Sequence, residues 1–230
     1  MACILNIETS AKACSIALAD NASILFERMD KDQSSHAKNL GVFAKEALDF
    51  VRTKQLRLDA IAVSEGPGSY TGLRIGVSEA KGLCYGLGIP LIALNTLQII
   101  TDLVIKTRQP GQDVLLCSMI DARRMEVYDA VYDVEMNAVK PISAEIIDED
   151  SFNDLLKEHQ ILFFGDGAEK CKAVIQSPNA VFIDGIFPQA CMMTAMAEAC
   201  YRNRQFADTA YFEPFYLKEF QATTPKNKVF

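Results

Sequence analysis

Ser64-Glu65-Gly66-Pro67-Gly68-Ser69-Tyr70-Thr71-Gly72-Leu73-Arg74-Ile75-Gly76 joins two elements of different kind. Residues 60–64 are a short apolar run of the sort a buried strand needs, and residues 70–85 follow with helical periodicity. A Gly-Pro-Gly loop at a helix start can present backbone N–H groups to an anion. The known phosphate patterns fail on spacing. GxxxxGK[ST] lacks its lysine here, and in GxGxxG the third glycine comes one residue late, at Gly72. Gly66, Gly68 and Ser69, with Glu8 at the end of the first strand, are therefore candidate nucleotide or anion contacts by position alone.

The helix after the loop carries Gly72, Gly76, Gly82 and Gly86, two pairs at i,i+4 spacing. Each interior glycine costs about 1 kcal/mol relative to alanine, so the run needs a compensating reason. A face without side chains lets another backbone approach closely. That backbone belongs either to the protein's own sheet or to a partner's helix, and the residues alone leave both open.

Working outward, residues 3–7, 14–19 and 23–29 read as strands, with Asp20-Asn21-Ala22 as a turn. Their short links make them antiparallel neighbours. A helix over 36–52 places Leu40, Phe43, Ala47 and Val51 on one face, and Ser34 or Ser35 suits its N-cap. A strand at 89–94 and a helix at 96–106 lead to the break at Pro110-Gly111. The second half repeats the order. A hairpin spans 114–120 and 126–133, and a weaker strand 145–147. Then come a helix at 151–158, a strand at 161–164 closing on Gly165-Asp166-Gly167, a helix at 168–175, a strand at 180–183 and a helix at 189–204. Three strands, helix, strand, helix, strand, present twice, predict two mixed α/β domains of ribonuclease-H-like type. The boundary falls between 1–108 and 109–230, with the last helix and tail packing back on the first domain.

The 230 residues are 50% hydrophobic and 23% charged, a composition that supports a real core. Net charge is −7 and the pI about 5.0, which disfavours tight binding to nucleic acid by this chain alone. Seven cysteines stand at 3, 14, 84, 117, 171, 191 and 200 without a CxxC pair, which fits a reducing compartment. The first residues lack the basic and apolar regions of a signal peptide. No apolar run reaches the ~18 residues of a membrane span, so a cytoplasmic location is expected. Only His36 and His159 offer an imidazole. Neither belongs to an HxxxH or HxH cluster, so no metal site and no catalytic residue is expected.

The loop and helix at 65–76 resemble the TsaB family, also called YeaZ. So do Gly82-Leu83, Gly88-Ile89-Pro90 and Asn95-Thr96-Leu97. The opening Ile4-Leu5-Asn6-Ile7-Glu8-Thr9-Ser10, with Cys14-Ser15-Ile16-Ala17-Leu18, and the hairpin Ile120-Asp121-Ala122-Arg123-Arg124-Met125-Glu126-Val127-Tyr128 share the likeness. It covers residues 1 to about 130. Beyond them only Phe164-Gly165-Asp166-Gly167 and the region of Tyr216-Leu217-Lys218 align. The family generally shows Asp where Glu8 stands.

The resemblance implies two ribonuclease-H-like domains of the actin-like ATPase (ASKHA) superfamily. It implies a non-catalytic scaffold and activator in the synthesis of N6-threonylcarbamoyladenosine (t6A) in tRNA, docked on a TsaD-like transferase and joined by a TsaE-like ATPase. In the family the two N-terminal-domain helices pair with those of TsaD, which points here to 36–52 and 70–85. The expected docking residues are Leu40, Phe43, Gly72, Gly76, Glu79 and Leu83. Without that partner the same surface would form a homodimer. No cofactor of its own is implied, only room for a nucleotide at the partner interface. Lys226 and Lys228, in a small basic tail, are candidate tRNA contacts. Asp121-Ala122-Arg123-Arg124 is a charged hairpin turn, serving as an ion-pair clamp or as a contact at a partner's edge. The competing reading is a stand-alone actin-like ATPase or kinase, or a glycoprotease-like peptidase.

Overall fold

A computed structural model describes residues 2–31 and 36–218, residue 36 by its backbone alone. The elements run β1 (Cys3–Glu8), β2 (Cys14–Asp20), β3 (Ser23–Asp30), α1 (His36–Thr53), β4 (Ala60–Gly66), α2 (Tyr70–Leu87), β5 (Leu91–Asn95) and α3 (Thr96–Arg108). Then come β6 (Val114–Asp121), β7 (Glu126–Tyr132), β8 (Ala138–Ile146), α4 (Asn153–Glu158), β9 (Gln160–Phe164), α5 (Ala168–Cys171), β10 (Ala180–Ile183), a 3-10 turn (Ala190–Met193) and α6 (Thr194–Arg202).

The first sheet has the order β3-β2-β1-β4-β5 and the second β10-β9-β6-β7-β8. In each, the first three strands are antiparallel and the last two join in parallel through crossovers. This is the ribonuclease-H-like topology, present twice. β1 and β6 are the central strands, so β1 is buried along its whole length. Asn6, the polar residue inside it, donates to Ile4 O and Ala17 O.

Helices cover both faces of each sheet. α1 and α2 pack Leu40, Ala47, Val77, Ala80 and Cys84 against Leu5, Ile7, Ile16, Ile61 and Val63. On the opposite face, Ala190, Met193 and Ala197 meet Ile4, Ala17 and Ala62. α3 is the wedge between the sheets. Its Ile99 faces the first, while Leu97, Ile100 and Val104 face Leu116, Ile120, Ala130 and Tyr132 of the second. Helix starts follow local chemistry. Asn95 Oδ1 accepts from Leu97 N and Gln98 N to cap α3, and Ser69 Oγ accepts from Gly72 N to cap α2. Gly88, in the left-handed region, closes α2.

Three elements differ from the sequence reading. β8 begins seven residues before the expected 145–147, because Lys140 and Pro141 make its first half read as loop, and an edge strand tolerates both. The helix expected at 168–175 keeps only its first turn before the chain drops through Pro178 into β10. The helix expected at 189–204 divides into the 3-10 turn and α6, its start pinned by Ala190 N donating to Ser15 Oγ at 2.9 Å. Ser34 and Ser35, read as caps of α1, and the tail with Lys226 and Lys228 lie outside the described residues.

Candidate docking face and inter-sheet junction

The four glycines of α2 divide between two faces. Gly72 and Gly76 are buried, and a Cβ on either would lie less than 3.0 Å from Thr9, at its carbonyl oxygen for Gly72 and its hydroxyl for Gly76. Thr9 Oγ1 donates to Gly72 O at 2.8 Å. The first pair therefore lets the end of β1 seat against the helix backbone. As docking residues Gly72 and Gly76 are corrected: the backbone they admit is the protein's own. Leu40 is corrected likewise, because it is buried in the core under α1, and Phe43 packs half-buried on that same core. The apolar face that periodicity revealed is the inward one.

Gly82 and Gly86 point the other way. Nothing lies within 4 Å of an added Cβ at either, nor at Gly41 of α1. Around them the outer surface of the two helices exposes large apolar side chains: Tyr85 at 89%, Val42 at 49% and Leu87 at 48% relative accessibility. Glu79 and Leu83 are half-buried at the side of this surface. Helix surfaces are usually polar on the solvent side; here glycine and apolar residues take several of those places, beside exposed Lys45, Glu46 and Arg74.

The Gly-Pro-Gly loop is filled by its own chain. Ser69 N donates to Ser10 O at 2.6 Å, and a Cβ on Gly68 would collide with that residue. Gly66 lies under the carbonyl of Phe215. Gly66, Gly68 and Ser69 thus do not form an open anion cradle, since the space over both glycines and the N–H of Ser69 are used internally.

The C-terminal ends of the central strands lie near one another at the junction of the two sheets. Glu8 ends β1 and is fully buried; its Oε1 accepts from Ser10 N at 2.6 Å, while Oε2 meets no donor at hydrogen-bond geometry. Burial pushes the Glu8 carboxyl up. The N–H and hydroxyl of Ser10 and the nearby Ser64 hydroxyl oppose that shift, and the charge of Asp166 from the second sheet's side adds to it. Asp166, after β9, is also raised, first by burial, then by the neighbouring Asp121 charge, against its hydrogen bond from Asp121 N and the charges of Lys12 and Lys170. Asp121 behaves oppositely. Burial pushes it up, but Lys170 at 2.5 Å, the N–H of Arg123 at 2.9 Å and the charge of Lys12 together hold it below the usual range. Among the described residues no group of three or more His, Cys, Asp or Glu is arranged to hold a metal ion. Arg123 and Arg124 sit at the tip of the β6–β7 hairpin, both at positive φ and exposed.

Thr9, Lys12 and Asp166 carry this junction, and none was singled out from sequence. Gly165-Asp166-Gly167 closing a strand was the available signal for the last. The outward positions Val42, Tyr85 and Leu87 were missed because apolar residues were assigned to the core.

Two ribonuclease-H-like sheets joined through α3 give the protein the fold of the actin-like superfamily. A family model described as TsaD, tRNA N6-adenosine threonylcarbamoyltransferase, matches residues 30–224. The tRNA threonylcarbamoyladenosine biosynthesis protein TsaB of Escherichia coli (strain K12) is 33% identical over 138 residues, 59% of this chain and 57% of its own. TsaB of Buchnera aphidicola is 32% identical over 136 residues, covering 59% and 60%. TsaB of Haemophilus influenzae is 26% identical over 226 residues, covering 94% and 93%. The chain thus spans 57% to 60% of two of these relatives and nearly all of the third. The solved structure of YeaZ from Pseudomonas aeruginosa shares the fold, with a TM-score of 0.77 at 24% identity, covering 94% of this chain and 100% of that one. The chain belongs to this family, in its TsaB (YeaZ) branch.

Proposed function

We propose that the chain is a non-catalytic subunit of the assembly that makes t6A in tRNA, and that it docks on and activates a TsaD-type transferase through the outer face of α1 and α2. One observation carries the docking surface: solvent-facing positions on two adjacent helices hold Gly41, Gly82 and Gly86 with open space above them, among exposed Val42, Tyr85 and Leu87. A glycine inside an exposed helix face gives up propensity. A partner backbone resting there would recover that cost through close packing. Apolar side chains beside such a strip match the centre of a protein interface. The names of the curated relatives supply the pathway.

Activation is then indirect. Docking favours the partner's active conformation to the extent that this face binds that conformation better than the other. A TsaE-like ATPase joining the pair, a nucleotide at the shared surface and tRNA held by the assembly belong to the same proposal. Alone, the face pairs with a second copy about a two-fold axis. The internal filling of the Gly66–Gly68 loop speaks against a separate actin-like kinase, since Ser10 and Phe215 occupy the space over its glycines and Ser69 N is engaged by Ser10 O.

The test is Gly82→Leu with Gly86→Leu. Both side chains enter open space, so the chain should fold as before, with unchanged far-ultraviolet circular dichroism. On gel filtration with the TsaD-type protein of the same organism, the double variant should elute apart while the unmodified chain co-elutes. Co-elution at full strength would sink the assignment of the face.

A further inference from the structure

After α6 the chain turns back and makes a series of contacts that end on the other sheet. Ala207 N donates to Leu91 O at 2.8 Å, forming a bridge on the edge of the first sheet. Lys81 of α2 reaches over the returning segment and donates to Ala210 O and Phe212 O, at 3.2 and 2.9 Å. Phe215 N donates to Glu65 O at 2.7 Å, at the C-terminal end of β4. Tyr216 lies on Tyr70, ring centres 4.9 Å apart. Lys218 Nζ then meets both carboxylate oxygens of Glu126, at 2.5 and 2.6 Å. Glu126 opens β7 of the second sheet, and its own carbonyl accepts from Lys170, which also holds Asp121.

The segment therefore crosses from the end of β4 to the start of β7, beside the strand ends where Glu8 and Asp166 face each other. Elsewhere the two sheets are joined by the apolar wedge of α3. That link is a packed hinge, whereas here the ion pair of Lys218 with Glu126 crosses between them, beside the charge of Lys12 that acts on Asp121 and Asp166. The two links differ in strength by their nature. An apolar seam is insensitive to salt, whereas a pair whose side chains are 44% and 20% exposed is screened by it.

We infer that residues 207–218 form a latch that holds the β6–β7 hairpin to the first sheet, closed by Lys218 on Glu126. A partly exposed pair shifts an equilibrium only a few-fold, about three- to five-fold here. The latch is consequently poised, and its release is within reach of salt or of a ligand that competes for either side chain. Its anchored part, from Ala207 to Tyr216, stays on α2 and β4 when the pair opens, because those contacts are backbone hydrogen bonds and ring packing. Opening is read mainly at the hairpin over residues 121–127.

The experiment is amide hydrogen exchange followed by mass spectrometry on the full chain, without any partner protein, so its outcome is separate from the docking test. Lys218→Met keeps the stem and removes the charge; Glu126→Gln does the same from the other side. Each should raise exchange in the 121–127 hairpin and in 213–218 together, about three-fold, while β10 and the first turn of α5 stay unchanged. The exchanged pair Lys218→Glu with Glu126→Lys should return exchange to the unmodified level. Raising salt to 0.5 M should mimic the single variants in the unmodified chain, a measurement that needs no substitution. Faster exchange confined to 213–218 with the hairpin unmoved, or no change at either place, would overturn the latch. So would failure of the exchanged pair to restore protection in a chain that melts normally.

Discussion

Thr9 donates its hydroxyl hydrogen to Gly72 O at 2.8 Å, and one turn further along α2 Gly76 passes that same hydroxyl closer than any residue with a Cβ could. β1 therefore meets α2 backbone to side chain, with no intervening layer. Gly76→Ala should destabilise the chain by about 1–3 kcal/mol, the usual cost of overpacking, even though alanine favours helix. Gly82→Ala, about nine ångströms of helix away by rise alone and facing open space, should stabilise by about 0.5–1 kcal/mol, the ordinary propensity gain. Urea midpoints of the two variants check the pair. Equal effects, or the reverse order, would show that the division of the glycines between inner and outer faces is wrong.

That division also marks how far sequence carries. The repeated strand and helix order was legible because β1, β4, β6 and β9 are short apolar runs bounded by turn residues, and both sheets take the topology this order implies. The anomaly of four glycines in α2 was equally plain. Which glycine faces which way was not. Gly72 and Gly76 precede Gly82 and Gly86 by ten residues, close to three helical turns but short of them, and the loss of register turns the second pair outward. Leu40 and Phe43 show a related limit. Periodicity finds the apolar face of α1, but only the sheet beneath reveals that this face is already occupied. Thr9 and Asp166 were invisible because their roles depend on residues 63 and more positions distant.

Glu8 should make the chain less stable as pH rises. Its folded-state carboxyl is raised, first by burial, so the folded chain holds that proton more tightly than the unfolded one. Below the unfolded value, near 4.3, both states are protonated and nothing is lost. Above it the unfolded state ionises first, and stability falls until pH passes the folded value. Glu8→Gln removes this slope. Its amide keeps an oxygen for Ser10 N and points a donor toward the hydroxyls of Ser10 and Ser64, which meet no partner of their own. A gain of about 1–3 kcal/mol at pH 8, shrinking toward pH 4, is expected from relieving an unsatisfied buried group. Urea titrations at the two pH values check it, and a pH-independent difference would contradict the account.

The cysteines should be slow to alkylate in the folded chain. Burial pushes Cys3, Cys84 and Cys171 up to about 11 and Cys14 to about 12, and Cys117 is raised well above its ordinary range by the same cause. The thiolate is the reacting form, so its fraction at pH 8 is very small and access is blocked besides. Cys200 is partly exposed and less shielded. With iodoacetamide at pH 8, mass spectrometry should find Cys200 modified first, and Cys14 and Cys117 only after unfolding by urea. Early labelling of Cys117 would mean that the second sheet opens in the native state.

The second sheet holds its own buried ion pair. Asp129 is fully buried on β7, and Lys140 from β8 reaches it at 2.9 Å while also meeting Glu145 at 2.5 Å. Burial raises the Asp129 carboxyl, with Lys140 opposing the shift. Removing only the cation leaves a carboxylate with the hydroxyl of Ser143 as its remaining side-chain donor among the described contacts. Lys140→Met should therefore cost about 3–5 kcal/mol at neutral pH, the penalty of an uncompensated buried charge. The loss should shrink as the pH falls, because Asp129, raised by burial, takes up a proton instead. Asp129→Asn added to Lys140→Met removes the charge that the lysine answered, so the double variant should recover part of the loss. Guanidinium unfolding of the four chains in a double-mutant cycle measures the coupling. Additive losses would show that Lys140 serves the edge strand through its packing over Phe152, 4.4 Å from the ring centre, and not through Asp129.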